Sequence, residues 1–306
     1  MTEPRLLSTT QMAQFAASGY LRFDAVVPQA LNQAFLDEIG HSDEVADIGE
    51  HYRNIMGTSA IPVVPAGTPL RDAYPKDSAL ARIMALPEVD GAVRSLVGQQ
   101  PVLDHHFLHI TFPPETTGKP LPAQHTHQDS TIDPRQAFDV QIMYFPHEVT
   151  AEMGGTRFVP GSHLRIVSEA AISRYQNIAG QQHMVCPAGT LLFMHHGIWH
   201  GGGANRSDDL RYMFKIRLCP TERQCRLWDT SDLDTAAPQK PIFWLGEARE
   251  AGEAGDVHTI LTTPEPWFEA DTGRLEYLNR IRFWRYLTGD ENFDADYWLT
   301  RVENEY

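Results

Sequence analysis

A chain of 306 residues has room for one large domain or two small ones, and for a sizeable core. Its 42% hydrophobic and 21% charged residues exclude a largely disordered polymer. The formal net charge of −15, with no block of Lys and Arg, weighs against nucleic acid or an anionic membrane as partner, since both need a basic footprint. In chain order, Ser8 to Gly40 reads as helix, strand, helix. Thr9 or Thr10 caps the first helix, Gly19 closes it, Tyr20–Phe23 alternates as a strand, and Pro28 opens a helix to about Ile39. Residues 41–78 are polar, aperiodic and read as an irregular excursion. Leu80 to Val97 is helical again, broken near Pro87 and ended by Gly98.

From Val102 the pattern changes to short extended runs between turn residues, the signature of an antiparallel sandwich or barrel. Strands are expected at Val102–Phe112, His127–Asp129, Phe138–Phe145, Arg157–Val159, Gln182–Val185, Thr190–Met194 and Leu210–Leu218, with turns at Pro160–His163 and Pro187–Gly189. One further helix is expected from Gly273 to Leu287, in a stretch rich in tryptophan. The reading is a single domain: a helical N-terminal layer over 1–100, a β core over 101–220 and a C-terminal wrap over 221–306. Cys186, Cys219 and Cys225 are odd in number and lack Cys-x-x-Cys spacing, so neither a disulfide framework nor a structural zinc is indicated. With no apolar leader in the first 20 residues and no run of some eighteen apolar residues, the expected address is the cytoplasm. The oligomeric state is left open.

Eleven of the fourteen histidines fall between His105 and His200, inside the β region. In His127-Gln128-Asp129 an extended backbone sends His127 and Asp129 to one side, so an imidazole and a carboxylate converge. These are two corners of a 2-His-1-carboxylate site for Fe(II). His200, 71 residues beyond Asp129, is the candidate third ligand, with His125, His195 and His196 as competitors. His105, His106, His109, His147, His163 and His183 read as strand or turn residues. On the strand after the Gly201–Asp209 turn, Leu210, Tyr212, Phe214, Ile216 and Leu218 form one face, and Arg211, Met213, Lys215 and Arg217 the other. That second face is either solvated or turned inward to a ligand, in which case Arg211 offers its fork to a carboxylate.

The segments His127-Gln128-Asp129, Thr150 to His163, and His200 to Ser207 followed by Arg211 resemble the phytanoyl-CoA dioxygenase-like family of Fe(II)/2-oxoglutarate oxygenases, as does Phe15 to Leu21. The resemblance covers residues 10 to 218. It implies a double-stranded β-helix, or jelly-roll, fold. It also implies iron on His127, Asp129 and His200, and the distal carboxylate of 2-oxoglutarate on Arg211. Members of that family often carry Ser two residues after the distal His, where this chain has Gly202, and use a strand position near His109 or Leu108 to line the co-substrate pocket. The implied reaction uses O2 to oxidise a small or medium organic substrate, most readily by hydroxylation, while 2-oxoglutarate becomes succinate and CO2. Halogenating relatives have a small residue where Asp129 stands. Two alternatives remain at this stage: a cupin-like metal enzyme using His125 and His127 without 2-oxoglutarate, and a jelly-roll binding module without turnover. The tryptophans Trp228, Trp244, Trp267, Trp284 and Trp298 are packing anchors or line an apolar pocket.

Overall fold

The computed structural model describes residues 3–42, 45, 47–119, 121–129, 140–164, 177–221 and 227–232. The expected helix at Gly273–Leu287, Trp244, Trp267, Trp284, Trp298, Cys225 and most of the C-terminal wrap lie outside those residues.

The N-terminal layer begins with α1 (Thr9–Ser18), whose N-cap is Ser8, one and two residues earlier than the expected Thr9 or Thr10. The Ser8 hydroxyl accepts from the Gln11 N–H while the Gln11 side chain accepts from the Ser8 N–H, a reciprocal pair that satisfies two otherwise orphaned donors. Gly19 closes α1 at φ 76°, with its N–H on the Phe15 carbonyl. A Cβ there would lie 2.5 Å from His163 Nδ1, so both conformation and space call for glycine. The chain continues through β1 (Tyr20–Phe23) and α2 (Gln29–Glu38) as the sequence suggests.

The stretch 41–78 is more ordered than its composition implies. It contains α3 (Ile48–Met56), capped by the Asp47 carboxylate accepting from the Glu50 N–H, and the two-residue strand β2 (Thr68–Pro69). A single 3₁₀ turn, Leu70–Asp72, follows β2. Ile48, Tyr52, Ile55 and Met56 form an apolar stripe at i, i+4, i+7 and i+8 of this helix, but the helix buries only His51 and Ile55 and lies in polar surroundings rich in Gly and Pro, which conceal it. Two helices, α4 (Ala79–Met84) and α5 (Pro87–Val97), follow on either side of the expected break, and Pro87 opens the second.

The β core comprises β3 (Val102–Thr111), then, after the short α6 (Pro114–Thr117), β4 (Val140–Phe145), β5 (Thr156–Phe158), β6 (Gln182–His183), β7 (Thr190–His195), β8 (His200–Gly202) and β9 (Arg211–Cys219). A major sheet runs in the order β1-β7-β4-β9-β3-β2, every pair antiparallel, and a minor sheet in the order β6-β5-β8. The order is non-sequential, as in a jelly roll. Register fixes which side chains go where. Val140, Ile142, Tyr144, Tyr212, Phe214, Ile216 and Leu218 point to one face of the major sheet, where the helices cover them in one cluster. Met143, Phe145, Leu192 and Met194 point to the other and meet Phe158 of the minor sheet in a second cluster. The central strands β4 and β7 are therefore buried on both faces, and the inner face of the sheet roofs the space in which the histidines collect.

The helical layer is tied to β9 by polar contacts as well. Tyr212, fully buried, has its hydroxyl 2.9 Å from His51 Nε2 and 3.2 Å from His41 Nδ1. A piece of the C-terminal region returns to α1, where the Asp232 carboxylate accepts from the Thr9 and Thr10 N–H groups and Trp228 Nε1 donates to the Thr9 hydroxyl.

Candidate active site

The first two candidate ligands are cross-strand neighbours. His127 and His200 exchange both backbone hydrogen bonds, at 2.9 and 2.8 Å, which continues the minor sheet by one antiparallel rung. The Gln124 N–H donates to the Gly202 carbonyl beside it. This pairing makes the glycine-rich His200–Gly202 a strand, which its composition conceals, and sets the two imidazoles 4.4 Å apart by ring centroid. Asp129 follows two residues later on the His127 side. The candidate donor atoms of His127, Asp129 and His200 all lie within 4.8 Å of one another.

Each histidine is oriented by its own backbone. Nδ1 of His127 lies 2.9 Å from the His125 carbonyl, and Nδ1 of His200 lies 2.9 Å from the Ile198 carbonyl. An acceptor there places the ring proton on Nδ1 and leaves the Nε2 lone pair free, as a metal ligand requires. The two Nε2 atoms stand 3.5 and 3.4 Å from the Asp129 carboxylate oxygens, too far for good hydrogen bonds. The donor set, the tautomers and the spacing suit a divalent ion.

The electrostatics fit the same reading. Burial alone would raise the Asp129 carboxyl, but His127, His200, Lys215 and His196 outweigh it and hold it well below the usual carboxylate range. Burial pushes His200 down to about 4, and the Asp129 carboxylate only partly offsets this. His127 is also penalised by burial, yet its contact with Asp129 and the His125 carbonyl carry it above its ordinary value.

Arg211 projects from β9 into the same cavity, a space of about 360 Å³. Its guanidinium donates to the Met153 carbonyl at 2.7 Å, to the Gly154 carbonyl, and to the Thr111 hydroxyl at 2.8 Å. Thr111 is its register partner on β3. Burial brings the Arg211 pKa down to about 10, so the side chain remains a cation. Among the described residues no carboxylate lies within 4.0 Å of it, which leaves a buried positive charge held only by neutral dipoles.

His109 and Gly202 line the same cavity. His109 stands exposed at the mouth of the cavity, and its partial desolvation first, with Lys215 and Arg211 next, lowers its pKa, which keeps it neutral at pH 7. At Gly202 a Cβ would meet Gln124 Oε1 at 3.6 Å and Arg211 Nη2 at 3.8 Å, so a serine would fit. Gln124 fills part of that place and accepts from the Gly202 N–H at 3.0 Å.

The competitors fare differently. His125 is exposed, and what it offers His127 is its carbonyl. His195 is buried against His163, with ring centroids 5.1 Å apart, and accepts from the Gly197 N–H. His196 does reach the site, with Nε2 3.6 Å from Asp129 Oδ2.

Sequence reasoning passed over three contributors. Lys215, left open as a possible solvated residue, is buried with Nζ 2.7 Å from Asp129 Oδ2. Strand alternation carried the signal for it. Thr111 and Gln124 had no signal in the sequence, because register and a loop crossing select them.

The profile of the phytanoyl-CoA dioxygenase family (PhyH) matches residues 15–213, more than half of the chain. The chain belongs to that family. Among named proteins it is similar to Dioxygenase trt7 of Aspergillus terreus (strain NIH 2624 / FGSC A1156), 31% identical over 111 residues. The match covers 33% of this chain and 37% of that protein, so the chain spans little more than a third of the relative. Among solved structures it is similar to HygX from Streptomyces hygroscopicus with nickel and 2-oxoglutarate bound (17% identical, 75% of this chain and 93% of that one, TM-score 0.49). It is also similar to the non-heme alpha ketoglutarate dependent carbocyclase SnoK from nogalamycin biosynthesis (18% identical, 76% of this chain and 93% of that one, TM-score 0.48). Similarity at this level transfers neither substrate nor reaction. No helix among the described residues is long and apolar enough to cross a membrane.

Proposed function

We propose that this protein hydroxylates a small or medium organic substrate at a ferrous centre held by His127, Asp129 and His200, with 2-oxoglutarate consumed to succinate and CO2. The observation that carries the reading is the buried Arg211 guanidinium without a carboxylate partner among the described residues, opening into the cavity that holds the three candidate ligands. An anion is the missing partner, and the distal carboxylate of 2-oxoglutarate supplies one of the right charge and planarity.

The bound metal supplies the oxidising chemistry with O2. The chain's own residues do the positioning. The carbonyls of His125 and Ile198 fix the two imidazoles, and Thr111 with the Met153 and Gly154 carbonyls fixes the Arg211 fork. His109, kept neutral, adds no charge beside the co-substrate. A carboxylate at Asp129 fills the position that halogenation would leave for a halide, which favours hydroxylation or a related oxidation.

The test is anaerobic titration of 2-oxoglutarate into metal-loaded Arg211→Ala. Removing one partner of a buried charge pair costs about 2–5 kcal/mol, on the order of 30- to several-thousand-fold in affinity. Arg211→Lys recovers only part of it, because a point charge does not reproduce the fork. Metal content stays near that of the parent. An unchanged affinity in Arg211→Ala removes the main support for the co-substrate assignment.

A further inference from the structure

Lys215 is the second cation of the cavity, and the co-substrate leaves it without work. On the inner face of β9 it stands four residues from Arg211, with Met213 between them, so both project into the same space. If 2-oxoglutarate uses its distal carboxylate on Arg211 and its keto acid on the metal, neither of its charged ends remains for Lys215. The charged side chains lining the cavity among the described residues are Arg211, Lys215 and Asp129, a sum of +1 (+1 + 1 − 1). A ferrous ion and a 2-oxoglutarate dianion add +2 and −2, so the described part of the loaded site still carries one positive charge. Asp129, the Lys215 partner at 2.7 Å, would share its charge with the metal, which weakens its hold on the ammonium and lets that group take a second anion.

The surroundings of Lys215 describe the rest of that anion. Its register partner on β3 is Phe107, 53% exposed, and its neighbour on β4 is Met143. Met213, Leu121 and Pro122 line the same space, and Leu121 is 41% exposed. An ammonium set among an aromatic ring, two thioethers and aliphatic carbons suits a carboxylate carried on an apolar body. Resting on the function proposed above, we propose that Lys215 forms a second anion subsite that receives the carboxylate of a small amphipathic monocarboxylic acid, the substrate class.

The test uses the full chain loaded with Ni(II) and saturating 2-oxoglutarate under argon. It is titrated calorimetrically with hexanoate, 3-phenylpropionate and cinnamate, and with the three matching primary amides. The expected result is that at least one acid binds about tenfold or more tightly than its amide, and that Lys215→Met abolishes the difference. Ni(II) content and 2-oxoglutarate affinity should remain within about threefold of the parent, and Lys215→Gln should behave alike if the Met variant folds poorly. The subsite is overturned if no acid binds, if acid and amide bind equally, or if the preference survives in the variant. A loss of metal in the variant assigns Lys215 to holding Asp129, and a loss of 2-oxoglutarate assigns it to the co-substrate, either of which also overturns the subsite. Failure of the parent itself to bind 2-oxoglutarate is a different result and defeats the proposed function.

Discussion

A ligand and a histidine four residues before it have opposite consequences at this site. Asp129 is the one carboxylate lining the cavity among the described residues, and two imidazoles and Lys215 are arranged around it. Asp129→Ala should therefore lose bound metal and substrate oxidation together, and it should also lower the denaturation midpoint, because it leaves the buried Lys215 ammonium without its partner at 2.7 Å. Metal analysis after desalting, beside a denaturation curve, checks both halves, and full metal content in the variant sinks the ligand assignment. His125 offers the contrast. Its contact with His127 is made by its carbonyl, which an alanine keeps, so His125→Ala should keep the metal within about twofold of the parent. The same metal analysis decides it, and a metal-free variant would favour the cupin-like ligand set.

Between residue and fold stands the contact of two backbone segments that cradle Arg211. Gly154 sits at φ 64°, and a Cβ on it would lie 2.0 Å from the Ala204 carbonyl oxygen; one on Gly203 would lie 2.5 Å from the Gly154 oxygen. The two segments touch backbone to backbone, and this contact presents the Met153 and Gly154 carbonyls to Arg211. Gly154→Ala adds about 1–2 kcal/mol for the left-handed conformation alone, and the clash adds to that. The expected outcome is a lowered denaturation midpoint together with a raised KM for 2-oxoglutarate, since the segment that moves also positions the fork. A variant with the parent's KM would show that Arg211 is oriented independently of this contact.

Across the whole molecule the buried histidines make stability depend on pH. Burial takes His195 down to about 3 and lowers His106 and His147 from an ordinary value of 6.5. A histidine whose folded pKa lies below its unfolded one contributes stability that is complete above about pH 6.5. That stability is lost as the pH falls toward the folded value, because the unfolded chain takes up the proton first. His127, raised in the fold, works in the opposite sense but is a single group. The thermal midpoint of the metal-free protein should therefore be nearly flat from about pH 7 to 8 and fall steadily below about 6.5. A midpoint that rises on acidification to pH 5 contradicts this.

What the sequence determined by itself was whatever depends on local pattern. Period-2 alternation marked β9 and separated Arg211 and Lys215 from Tyr212 and Phe214, and the His-x-Asp spacing brought His127 and Asp129 toward one point, although the expected strand there is reduced to a single bridge at His127. Proline and glycine punctuated α1, α2, α4 and α5 correctly because their φ restrictions act within a turn or two. Tertiary structure decided the rest. The glycine-rich His200–Gly202 is a strand only because His127 and β5 supply its hydrogen bonds. Thr111 stands at Arg211 only through the β3–β9 register, and α3 docks through His51, whose Nε2 lies 2.9 Å from the Tyr212 hydroxyl. The inward turn of Lys215, which local pattern left open, was settled by the minor sheet and the 124–129 segment closing over that face of β9. Contacts between residues 86 or 100 positions apart leave no periodic trace in a chain, since nothing local is arranged to produce them.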